Sequence, residues 1–112
     1  MKIDLYRDEQ GLPRARSEAP DDLLARFLES DVQGSVITAY DILGMLDRVE
    51  SGETDRWEGT GNAHTLALTP GGALIQDELA DDTEALHLPL SELREALNAW
   101  IGLLLDEPSH QA

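Results

Sequence analysis

The spacing of apolar residues along the chain alternates between a period of two and a period of three to four. Near the start, KIDLYRD alternates apolar and polar residues, which predicts a half-buried strand. The residues EQG follow as a turn. Residues 13–17 are a candidate return strand, and Pro13 favours a position at the edge of a sheet.

Two helices are predicted next. Pro20 suits the first position of a helix, and a short apolar stripe over residues 23–28 follows it. Ser35 is expected to cap a second helix over residues 35–50, whose apolar residues recur at spacings of three and four. Gly44 lies inside this helix at a cost of about 1 kcal/mol relative to Ala. We expect its missing side chain to allow the close approach of a strand.

The second half of the chain predicts three strands and a closing helix. HTLALT and ALIQDEL form a hairpin around TPGG, ALHLPL is a further short strand, and Ser91 caps a helix over residues 91–105. The order β(β)ααβββα predicts an α+β fold with a single antiparallel sheet of about four to five strands packed on two to three helices. Residues 1–112 are expected to form a single domain. The sheet is expected to contribute these core residues: Leu66, Leu68, Ile75, Leu86 and Leu88.

The stretch WEGTGN is rich in glycine, as phosphate-binding loops are. Such loops need backbone N–H groups aimed at the anion, together with a Lys or a helix N-terminus. WEGTGN leads instead into a strand, contains Glu58 and has no Lys nearby. We interpret it as an architectural bend in which Gly59 and Gly61 adopt positive φ angles and Trp57 anchors the chain against the core.

The charge of the chain limits its partners. It contains 23 acidic against 8 basic residues, a net charge of −15, and only Arg94 among the bases follows Trp57. Such a surface repels nucleic acid and anionic membranes, and it favours a basic protein partner. The chain has no apolar run long enough to span a bilayer and no signal peptide at its start, so a cytoplasmic location is expected.

Catalytic and metal-binding patterns are weak. The chain has no Cys, which excludes disulfides and thiolate ligands. His64 and His87 could face each other on neighbouring strands near Asp77 or Glu78, but their spacing matches no metal motif. Paired carboxylates fall in predicted turns and helix ends, and no nucleophile-elbow signature is present. We therefore expect no metal, no cofactor and no enzymatic activity.

Two segments of the chain resemble known bacterial families. WEGTGNAHTL, the TPGG hairpin and the Leu-rich closing helix with Trp100 resemble the uncharacterised YacL-like family of small bacterial proteins. The stretch RDEQGLPRARS, followed by an acidic helix, is similar to the start of some immunity proteins of contact-dependent growth inhibition (CDI) systems. The CDI resemblance implies a toxin inhibitor that blocks an active site, commonly that of a basic nuclease. These motifs are structural, so they assign no functional residue.

Two clusters of carboxylates are candidates for the partner-binding surface. One lies in residues 77–84 and comprises Asp77, Glu78, Asp81, Asp82 and Glu84. The other is expected on the polar side of the first helix and comprises Asp21, Asp22, Glu29 and Asp31. Each of these residues taken alone is more typical of a solvated rim. The alternative function is an acidic adaptor or regulatory domain that binds a cellular protein other than a toxin.

Overall fold

A computed structural model describes residues 3–18, 22–77 and 85–105. Its elements are β1 (Asp4–Arg7), β2 (Pro13–Arg16), α1 (Asp22–Phe27), a π-helical turn (Leu28–Val32) that continues α1, α2 (Val36–Glu50), β3 (Trp57–Thr60), β4 (His64–Thr69), β5 (Gly72–Asp77), β6 (Ala85–Leu88) and α3 (Leu90–Leu105). The predicted α+β class is confirmed, and the element order matches the prediction except for the additional strand β3. The candidate return strand at residues 13–17 is present as β2.

The strands divide into two antiparallel sheets where a single sheet was predicted. β1 and β2 form a separate hairpin, while the larger sheet has the order β3-β4-β5-β6. The hairpin does not extend the larger sheet. It packs on the helices instead, with β1 against α3 and β2 against α1. Neighbours along the chain are therefore neighbours in each sheet, which leaves β3 and β6 as the edges of the larger sheet among the described strands.

One face of the larger sheet forms the core with the helices. All five predicted sheet residues of the core are buried, and so are Ala39, Ile42, Leu46 and Val49 of α2 and Leu93, Ala96, Leu97, Trp100 and Ile101 of α3. The Trp100 side chain is completely buried, and its indole Nε1–H donates a 2.7 Å hydrogen bond to the carbonyl of Gln33. The predicted core is thus confirmed, and Trp100 ties α3 to the residue that ends the π-helical turn.

The two predicted helix caps differ in outcome. Ser35 caps α2 as expected, since its side chain accepts a 3.1 Å hydrogen bond from the backbone N–H of Thr38. Ser91 lies inside α3, which begins at Leu90, so the predicted cap is wrong. The carbonyl of Pro89 accepts a hydrogen bond from the backbone N–H of Glu92, and the helix starts two residues earlier than a Ser91 cap would place it.

The WEGTGN stretch is a strand and not the predicted bend. Trp57–Thr60 forms β3, and neither Gly59 nor Gly61 has a positive φ. The two glycines are needed for space. A Cβ atom at Gly59 would lie 2.7 Å from Cη2 of the Trp57 ring, and a Cβ atom at Gly61 would collide with the carboxylate of Asp31. Both glycines therefore let a side chain lie directly on the backbone.

Candidate partner-binding site

A buried polar cluster joins the π-helical turn to the start of β4. The side chains of Asp31 and His64 are 4% and 3% exposed, and Oδ1 of Asp31 lies 2.8 Å from Nδ1 of His64. Oδ2 of Asp31 accepts hydrogen bonds from the backbone N–H groups of His64 and Ala63, at 3.1 and 3.3 Å. Ser30 Oγ lies 2.7 Å from Oδ1 of Asp31. One carboxylate thus fixes the π-helical turn to the sheet.

The cluster differs from a hydrolytic triad in its geometry. In a triad the carboxylate binds one ring nitrogen of the histidine and the nucleophile binds the other. Here Ser30 Oγ lies 3.3 Å from His64 Nδ1, the same nitrogen that faces Asp31. His64 Nε2 is buried and has no hydrogen-bond partner among the described residues. This arrangement fixes the position of the imidazole ring, but it directs no described nucleophile at Nε2.

The environment of Asp31 favours its ionised form. Burial has the largest single effect and raises the pKa of Asp31, but the hydrogen bonds from His64, Ser30 and the backbone N–H groups together outweigh it. The pKa of this carboxyl group is therefore held below its ordinary value of 3.8. Asp31 thus acts as a charged hydrogen-bond acceptor in the interior.

The lowered pKa of Asp31 gives stability a pH dependence. Because the folded pKa is below the unfolded one, ionisation of Asp31 contributes stability that is complete well above pH 3.8 and is lost as pH falls through the folded value. We expect the difference in unfolding free energy between the wild type and Asp31→Asn to narrow between about pH 5 and about pH 3. Urea unfolding of both proteins at several pH values measures this difference. A difference that stays constant over this pH range would contradict a lowered pKa of Asp31 in the folded protein.

The three described carboxylates of the set predicted on the polar side of the first helix have partners within the chain. The expected exposure of Asp31 is wrong, because the π-helical turn directs its side chain towards β4. Glu29 accepts hydrogen bonds from Arg14 Nε at 2.9 Å and from the backbone N–H of Ala15 at 2.7 Å. Asp22 forms a 3.5 Å ion pair with Arg26. Glu29 therefore connects the helix to β2, while 40% of the Asp22 side chain remains exposed.

The second predicted cluster is described only at its first residue. Asp77 lies opposite His64 in the β4–β5 register and forms a 3.1 Å ion pair with Arg26, with 12% of its side chain exposed. The remaining residues of this cluster, together with Asp21, lie outside the described residues: Glu78, Asp81, Asp82 and Glu84. Their contribution to a partner-binding surface remains a prediction.

The two histidines considered for a metal site do not meet. β5 lies between β4, which carries His64, and β6, which carries the exposed His87. Within residues 3–18, 22–77 and 85–105, no group of three or more His, Cys, Asp or Glu side chains is placed to hold a metal ion. In the same ranges, no helix is both long and apolar enough to cross a membrane.

The arginines of the described residues all have partners within the chain. Five are paired with carboxylates: Arg14, Arg26, Arg48, Arg56 and Arg94. Arg7 donates to the carbonyls of Gly11 and Leu103, and Arg16 lies 5.5 Å from the centre of the Tyr6 ring. By contrast, several carboxylates have no side-chain partner in the described part of the chain: Asp4, Glu9, Glu18, Asp41, Asp55, Glu92 and Glu95. The unbalanced charge of this surface is therefore negative.

An apolar groove of about 560 Å³ runs between α2 and β3. Ile42 and Met45 of α2 line one side, Trp57 lines the other, and Phe27 and Leu66 contribute to its base. The indole of Trp57 is half-buried and lies across Gly59 on the helix-facing side of the sheet. The glycine thus allows the ring to form a flat wall of the groove.

Two large apolar side chains are exposed on the outer face of α2 beside this groove. Ile37 and Tyr40 are 75% and 53% exposed. Gly44 also lines the groove, and no atom lies within 4 Å of the position its Cβ would take. The expectation that Gly44 allows the approach of a strand is therefore wrong. Gly44 destabilises the helix relative to Ala, and no contact among the described residues requires a glycine at this position.

Comparisons with protein-family models, with curated proteins and with solved structures gave no match. The candidate functions therefore depend on the geometry and charge of the chain itself. Within the described part of the chain, the groove and the partnerless carboxylates are two surface features that intramolecular packing does not use.

Proposed function

We propose that this chain is a cytoplasmic immunity protein that binds a basic toxin, most simply a nuclease domain, and blocks its active site. The observation that carries this proposal is the charge balance of the surface. The described arginines are engaged within the chain, while exposed carboxylates on several elements have no partner among the described residues. Such a surface attracts a basic protein over a distance and aligns it before contact.

A nuclease is a suitable basic partner because its active site binds phosphate. Carboxylates presented by a small rigid protein can occupy that site in place of the nucleic acid and neutralise its Lys and Arg side chains. The same surface repels nucleic acid, so the inhibitor binds the nuclease and not its nucleic-acid substrate. The similarity of RDEQGLPRARS to CDI immunity proteins is consistent with this role.

The test uses the product of the gene adjacent to the one that encodes this chain. We expect the two purified proteins to form a one-to-one complex by size-exclusion chromatography with light scattering. We also expect the complex to lose the nuclease activity that the partner shows alone. A partner that forms no complex, or that retains full activity in the complex, would contradict the immunity function. A stable complex with a neighbour that is not a toxin would favour the adaptor alternative.

A further inference from the structure

We propose that the groove between α2 and β3 is the docking site for an extended segment of the basic partner. In this arrangement the segment pairs with the open edge of β3, places one apolar side chain in the groove and directs a neighbouring Lys or Arg towards Asp41. The inference rests on the proposed function for the basic character of the partner. The position of the site rests on the groove itself.

The edge of β3 supplies backbone hydrogen-bonding groups. β3 pairs with β4 on one side and with no other described strand on the other. An edge strand presents a row of unpaired N–H and C=O groups, and an added peptide strand satisfies them. The Trp57 ring covers Gly59 on the helix-facing side of β3, beside this edge.

The groove beside that edge provides room for a side chain. Strand addition places alternate side chains of the peptide on the helix side of the sheet, where Trp57, Ile42 and Met45 line the groove. Gly44 keeps the α2 side open, since any larger residue there would extend into this space. A partner that covers the groove would also bury the exposed Ile37 and Tyr40, which gives these positions a role in binding.

The charge at the rim of the groove favours a basic residue. Asp41 is exposed, lines the groove and has no side-chain partner in the described part of the chain. Arg48 also lines the groove, but its guanidinium forms a 3.5 Å ion pair with Glu53. Because the remaining local charge at the rim is negative, a Lys or Arg next to the inserted apolar residue would be attracted and an acidic residue would be repelled.

The experiment selects peptides from a phage-displayed library of random nonapeptides with the full chain and measures the most enriched one by fluorescence anisotropy. We expect enriched peptides to combine an apolar residue with an adjacent Lys or Arg. Gly44→Leu should weaken binding by at least about tenfold because the new side chain fills the groove. Gly102→Leu is the matched control, since Gly102 is also an exposed, open helical glycine but does not line the groove.

Both leucine variants are expected to fold at least as stably as the wild type, because Leu favours a helix more than Gly does. Asp41→Asn should weaken binding about threefold and reduce its salt dependence.

Enrichment of no peptide, enrichment of acidic peptides, or equal binding by the wild type and Gly44→Leu would overturn the inference. A toxin complex that forms normally with Gly44→Leu would remove the groove but keep the proposed function. Peptide binding that depends on the groove, without a complex with the toxin, would keep the groove as a docking site but contradict the proposed function.

Discussion

Replacing Trp100 with Ala is expected to lower the free energy of unfolding by about 3–5 kcal/mol. The Trp100 side chain is completely buried between α3 and the rest of the core, so its removal leaves a cavity that rigid neighbours fill only in part. The substitution also removes the indole N–H that donates to the carbonyl of Gln33. Urea unfolding followed by circular dichroism measures the change, with the midpoint and slope fitted together.

Two variants separate the contributions of Trp100. Trp100→Phe retains an aromatic ring but loses the donor to Gln33, and we expect it to cost about 1–3 kcal/mol. Trp57→Ala removes the other indole, which is half-buried in the groove wall, and we expect a smaller loss than for Trp100→Ala. A Trp100→Ala protein within about 1 kcal/mol of the wild type would show that the core is assigned wrongly.

Replacing Asp31 with Ala is expected to destabilise the protein by about 3–5 kcal/mol at neutral pH. The carboxylate accepts hydrogen bonds from His64 Nδ1, from Ser30 and from two backbone N–H groups. Its removal leaves these donors in a region from which water is largely excluded, and an unsatisfied buried donor costs far more than an exposed one. The contact between the π-helical turn and β4 should loosen.

Asp41→Ala is the control for Asp31→Ala. Asp41 is exposed and has no partner in the described part of the chain, so its loss should change the unfolding free energy by no more than about 0.5 kcal/mol. Equal, small effects of the two substitutions in urea unfolding would contradict the structural role of Asp31. The pair therefore distinguishes a carboxylate that holds the fold together from one that is available for binding.

The sequence predicts the elements and the core of this protein because their signal is periodic. The apolar stripes of α2 and α3 and the alternation in β5 depend on local geometry alone, and each is confirmed by burial. In β4 the apolar residues Leu66 and Leu68 are buried as expected, but Thr65 on the other face is buried as well. The division into two sheets has no such signal. It depends on whether the first hairpin is more stable against the helices or at a sheet edge, which is a matter of tertiary packing.

The predicted exposure of Asp31 is wrong, although the sequence contains a signal for its burial. Asp31 follows Phe27 by four residues and Leu28 by three, which places it on the apolar stripe of the helix and not on its polar side. His64 likewise shares the alternation of Leu66 and Leu68, which face the helices. A polar residue on each of two buried faces indicates a buried pair. The π-helical turn that contains Asp31 cannot be recognised from the spacing of apolar residues.

The space requirements of the glycines could not be predicted from the local sequence. Gly59 and Gly61 suggest turns because glycine commonly adopts positive φ angles, but here each accommodates a side chain that packs on the backbone. Which side chain approaches depends on tertiary structure, in one case on Asp31, thirty residues earlier in the chain. The groove next to Trp57 results from the same tertiary packing, so the local sequence does not predict it either.

The central claim, that the chain binds a basic protein through its acidic surface, is tested most directly by the salt dependence of the affinity. Isothermal titration with the product of the adjacent gene would be carried out between roughly 0.1 M and 1 M salt, where the Debye length falls from about 10 Å to about 3 Å. We predict a dissociation constant that increases by about tenfold or more over this range, mainly through slower association. A dissociation constant that does not change with salt, or the absence of binding at the lowest salt concentration, would contradict the claim.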